Sequence, residues 1–169
     1  MGIISFFKEA GEKLFGGKDA AAAQQAQAAP DNAELQARAA QANLAAANAI
    51  VAYIATQKLA ADGLNVEFDG ASGSVTVAGV APDQATKEKI VLCCGNVSGV
   101  AKVNDMMTVA QPADESQFHT VVKGDTLSAI AKKFYGNANA YPKIFEANKP
   151  MLTHPDKIYP GQLLRIPKE

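Results

Sequence analysis

The hydrophobic pattern changes character along this chain, and each change predicts a different kind of element. Phe6, Phe7, Ala10, Leu14 and Phe15 recur at helical spacing, which predicts a short amphipathic helix within Met1–Phe15. Residues 19–46 are dominated by alanine and glutamine and broken by Pro30-Asp31-Asn32. These residue types favour helix, but with few large apolar side chains the stretch can bury little, so a semi-rigid helical spacer or a disordered tether is expected. A core-facing helical stripe starts near Ala47 with Ile50, Val51 and Ile54. Leu64, Val66 and Phe68 then alternate with Asn65, Glu67 and Asp69, a half-buried strand. The turn Asp69-Gly70-Ala71-Ser72-Gly73 leads into a second strand carrying Val75 and Val77. Pro82 and Asp83 suit a helix first turn, and the following helix is expected to close on Gly95 as a left-handed cap. A strand over Val100 to Val109 completes the unit.

Composition narrows the functional classes. With 16 basic against 17 acidic residues and no basic cluster, nucleic acid is not an expected partner. No window approaches the ~18 consecutive apolar residues of a membrane span. The first fifteen residues lack the basic start, apolar run and cleavage site of an export signal, and Phe6 stands where the myristoylation pattern needs Ser or Thr. A cytoplasmic location without membrane attachment is therefore expected. Cys93 and Cys94 are adjacent, which suits two core residues in a reducing compartment better than a disulfide framework.

Catalytic chemistry finds no foothold. His119 and His154 stand alone, without zinc-ligand spacing, and surface positions are expected for both. Ser72 and Ser98 lie in turns with no base or oxyanion motif nearby. The chain is read as a non-enzyme.

From Phe118 to Pro167 the sequence resembles a LysM module. The resemblance rests on Thr120-Val121-Val122-Lys123-Gly124-Asp125-Thr126-Leu127, on Glu146-Ala147-Asn148, and on Ile158-Tyr159-Pro160-Gly161-Gln162-Leu163-Leu164-Arg165-Ile166-Pro167. The preceding helix-strand-strand-helix-strand order, with Gly79-Val80-Ala81 and Gly99-Val100-Ala101-Lys102-Val103-Asn104-Asp105, resembles a BON domain. Together with the start MGIISFFKEAGEKLF, the pair is similar to the cytoplasmic BON–LysM potassium-binding proteins of bacteria. The alanine-rich stretch is longer than that family's linker.

The resemblance implies an α+β chain: an amphipathic N-terminal segment with a short helix (1–18), an Ala-rich helical spacer (19–46), a BON domain (47–111, αββαβ) and a LysM domain (117–168, βααβ). The two domains are expected to have independent cores joined through Gln111–Ser116. The resemblance also implies K+ as ligand, held by the main-chain oxygens of Phe7, Ala10, Glu12, Gly95, Val97 and Val100. Asn96 and Ser98 side chains would then be dispensable for the ion. The chemistry is compatible, since neutral carbonyls can replace the hydration shell of a large, weakly hydrated cation, and a helix C-terminus leaves such carbonyls unpaired. The expected role is a potassium sensor or buffer, monomeric, in which the ion alters the contact between BON and LysM. A partner protein is left open. The alternative is an envelope adaptor that binds peptidoglycan or N-acetylglucosamine through Gly124, Asp125, Thr126 and Leu127 facing Lys157, Ile158 and Tyr159. A peptidoglycan hydrolase lacks a place for its catalytic domain.

Overall fold

The computed structural model describes residues 2–5, 14 and 17–168. The alanine-rich stretch forms two helices, α1 (Gly17–Ala28) and most of the first half of α2 (Ala33–Thr56). They reverse at Pro30, and Asn32 caps α2 by accepting the N–H groups of Glu34 and Leu35, each at 3.1 Å. The helical expectation holds. The disordered tether does not, nor does a spacer that buries little, because Ala23, Ala26 and Ala39 are buried together beside Leu35 and Ala71. Alanine permits this close approach, and the Gln36 amide ties the helices by donating to the Ala26 carbonyl at 2.7 Å.

Further along, α2 turns Ala46, Ala47, Ile50 and Ile54 into the main core. Strands β2 (Asp62–Asp69) and β3 (Ser74–Asp83) make the expected antiparallel hairpin. Helix α3 (Gln84–Gly95) carries the chain across to β4 (Lys102–Gln111), which runs parallel to β3. Strand β1 (Gly2–Ser5) adds antiparallel to the outer side of β4, so the sheet order is β1-β4-β3-β2. The short helix expected from the spacing of Phe6, Phe7, Ala10, Leu14 and Phe15 falls on residues that, Leu14 apart, lie outside the described ones; the preceding Gly2–Ser5 are strand because an open β4 edge is there to pair with. Val66, Phe68, Val75, Val77, Val103 and Met107 form a buried layer of the core, together with residues of α2 and α3.

Two local expectations differ from the structure. Pro82 belongs to β3, and Asp83 is the cap of α3, accepting the Thr86 N–H at 2.7 Å. Gly95 is not left-handed: the helix closes on Asn96 at φ −83°, and the positive φ falls on Gly99, at 91°.

The C-terminal unit comprises β5 (Gln117–Thr120), α4 (Leu127–Tyr135), α5 (Tyr141–Ala147) and β6 (Leu163–Ile166), the expected βααβ order. Thr126 caps the start of α4, and Gly136 ends it at φ 67°. Leu127, Ile130, Ile144, Leu152, Leu164 and Ile166 form its own core. Alternation along β6 divides that strand: Leu164 and Ile166 face this core, whereas Leu163 joins the first one, with Met151 and Phe118 packed against it. The two cores are thus not fully independent.

Candidate ion site and the surfaces around it

The loop proposed to bind the ion begins at the C-terminus of α3, whose last turn carries no basic residue to offset the negative end of the helix dipole. Gly95, Val97 and Val100 are all buried. The Val97 carbonyl accepts the Val100 N–H at 3.2 Å, which tightens the loop. From the other side the β2–β3 turn clasps the loop, its Gly73 carbonyl accepting the Ala101 N–H at 2.7 Å. Gly73 has φ 63°, and a Cβ there would lie 2.9 Å from the Gly99 carbonyl oxygen, so only glycine fits without displacement.

Phe7, Ala10 and Glu12 lie outside the described residues. The elements bracketing them are described: Ser5 pairs with Lys102, and Leu14 packs against the main core. The antiparallel register therefore leaves the chain at Ser5 only two positions along from Val100. Among the described residues no group of three or more His, Cys, Asp or Glu could hold a metal.

Asn96 has a role that spacing did not reveal. Its carboxamide donates to the Leu163 carbonyl at 3.0 Å and accepts the Leu163 N–H at 3.1 Å, both buried. The α3–β4 loop and the edge of β6 are joined by one side chain. Nearby, Glu88 of α3 is buried and accepts from Gln84 at 2.9 Å, from the connector N–H of Ser116 at 2.8 Å, and from Arg165 of β6. Burial works against the charged form of Glu88, yet the hydrogen bonds from Gln84, Arg165 and Ser116 outweigh it and hold the carboxyl below its ordinary value. The Cys93 thiol meets the Met151 sulfur at 3.2 Å. Both cysteines are buried, and burial pushes the Cys93 thiol up to about 12 and the Cys94 thiol higher still, so both are core residues rather than nucleophiles.

On the C-terminal unit, reciprocal bonds from Val121 N–H to the Gln162 carbonyl and from Gly161 N–H to the Val121 carbonyl, each 2.8 Å, bring the Gly124–Leu127 turn near the Tyr159 segment. Gly124 takes φ 93°, while Leu127 is buried and Ile158 packs on the core, so those two side chains serve the core. Lys157 N–H donates to the His154 carbonyl at 3.0 Å, and Tyr159 N–H to the Gln162 side chain at 3.2 Å. His154 is exposed as expected, but His119 is not: it bonds Asp125 at 2.8 Å and meets Phe134 edge to face. Burial opposes ionisation of Asp125, but bonds from His119 and the Val122 N–H hold its carboxyl below the usual range.

Comparison with known proteins agrees with this architecture. Residues 45–111 match the BON domain model and residues 119–167 the LysM domain model. The chain is a BON–LysM protein. It is 48% identical over 169 residues to the potassium binding protein Kbp of Escherichia coli O6:H1, covering 100% of both chains. The chain belongs to that BON–LysM potassium-binding family. Partial likenesses extend to an uncharacterised protein of Deinococcus radiodurans, 39% identical over 43% of this chain and 29% of that one. An esterase of Mycobacterium tuberculosis is 44% identical over 41% of this chain and 15% of its own length. Among the described residues no helix is long and apolar enough to cross a membrane.

Proposed function

We propose that this chain is a cytoplasmic potassium-binding protein, a sensor or buffer rather than an enzyme. One ion is held by the main-chain oxygens of Gly95, Val97 and Val100 together with those of Phe7, Ala10 and Glu12. The observation that carries this reading is the pairing of Ser5 with Lys102, which brings the chain at Ser5 within two positions of Val100 in the α3–β4 loop. The likeness to Kbp over the full length supports the choice of ion. Because Asn96 lies between two proposed ligands and also holds Leu163, tightening the loop around an ion bears directly on the contact between the BON and LysM units.

Thermal melting in potassium against sodium chloride at equal ionic strength tests this. A ligand that binds only the folded form adds RT ln(1 + [L]/Kd), so potassium at about a hundred times its Kd adds roughly 2.7 kcal/mol. Sodium adds much less. Equal melting temperatures in the two salts would refute the reading.

A second reading, peptidoglycan or N-acetylglucosamine binding, has one observation in its favour. The hydrogen bonds described between the units run through Leu163, Arg165 and Ser116 rather than through Gly124–Leu127. Retention on insoluble peptidoglycan, lost when Thr126 and Ile158 are replaced in a variant that still melts cooperatively, would establish it.

A further inference from the structure

We propose that the sheet face opposite α2 and α3 binds a small zwitterion of the amino-acid class between Lys102 and Glu67. The strand register sets one polar row of Asp69, Ser74 and Lys102 beside another of Glu67, Thr76 and Asn104. These rows line a recess of about 360 Å³. Its floor is ordered: the Asn104 amide nitrogen donates to both the Ser74 and Thr76 hydroxyl oxygens, each at 3.2 Å. With an acceptor position of each hydroxyl satisfied, each keeps its own hydrogen to donate. Ser74 is buried to 8% exposure although it lies on the face away from the helices, which makes the floor a recess rather than a flat polar patch.

The charges at the rim are separated. Asp69 is committed to its own turn, accepting the Ala71 N–H at 3.1 Å and the Ser72 hydroxyl at 2.5 Å. Glu67 accepts only a long bond from Asn65, 3.4 Å, and among the described residues neither Glu67 nor Lys102 forms an ion pair. Glu67 is on β2 and Lys102 on β4, with β3 between them, so they are two strand spacings of about 4.8 Å apart across the sheet and two residues, about 7 Å, apart along it. A carboxylate set against Lys102 and the Ser74 hydroxyl leaves room for an ammonium at Glu67. A singly charged molecule satisfies only one end. The site is shallow and its rim wet, so screening limits affinity to the millimolar range.

The test is an NMR titration of the full chain, at fixed potassium concentration, with γ-aminobutyrate as probe and butyrate and propylamine as single-charge controls. The proposal expects saturable shifts at the Ser74, Thr76 and Asn104 amides, at least tenfold weaker for either control, and lost in Lys102→Met. Should that variant unfold, Glu67→Gln on the exposed rim serves the same purpose. The absence of saturable shifts, controls that bind as tightly as the zwitterion, or shifts undiminished in the variant would each overturn it.

Discussion

The carboxamide of Asn96 bonds both main-chain groups of Leu163, and Asn148 does the same for Arg165 two residues along, at 2.8 Å in each direction. The edge of β6 turned away from β5 is thereby completed by two asparagines, one from α3's end and one from α5's end. Each stands in for a missing strand, so that the peptide groups of Leu163 and Arg165 are not left buried without partners.

Replacing Asn96 by alanine leaves both Leu163 groups unpaired in a buried setting. A loss of roughly 2 kcal/mol in urea unfolding is expected. Ser98→Ala, at a partly exposed position, should change stability by no more than about 0.5 kcal/mol. If Asn96→Ala is as mild as Ser98→Ala, the contact contributes little in solution.

Removal of Met1–Phe15 takes away β1 and the three N-terminal main-chain ligands proposed for the ion. The potassium-specific rise in melting temperature should disappear with it. A rise that persists in the shortened chain would retain the ion but refute the site.

Gly73→Ala should destabilise the fold by at least about 1 kcal/mol, because the residue holds φ 63° and its new Cβ meets the Gly99 carbonyl oxygen. The potassium response should weaken too, since that carbonyl belongs to the clasped loop. Denaturant midpoints measured in each salt separate the two effects.

The pH dependence follows from Glu88. Its folded-state carboxyl sits below the ordinary value of 4.5, so its contribution is fully present above that pH and is lost as pH falls through the folded value. Stability measured between pH 7 and 3 should fall more steeply for the wild type than for Glu88→Gln, which is already weakened at pH 7. Parallel curves would show that Glu88 is not the group responsible.

Local pattern by itself determined the elements of both domains. Alternation in Leu64–Phe68, the glycine-bearing turn at 70–73 and the helical stripe from Ile50 are consequences of backbone periodicity, and they are visible in the residues alone. The matched LysM and BON blocks likewise reveal the order of the two units, and the helical character of the alanine-rich stretch follows from propensity. What only the tertiary structure decided is how these pieces meet. Gly2–Ser5, which carry no periodic signal of their own, became β1 because an unpaired β4 edge was available to them. The alanine helices packed because Gly70 admits them closely, with its N–H held by Asn43 at 3.0 Å and Ala23 near the place a Cβ would occupy. Asn96 and Glu88 look like ordinary polar residues of a helix end and a helix face. Their partners lie 67 and 77 residues away, at Leu163 and Arg165, and a periodic pattern carries information only about neighbours along the chain.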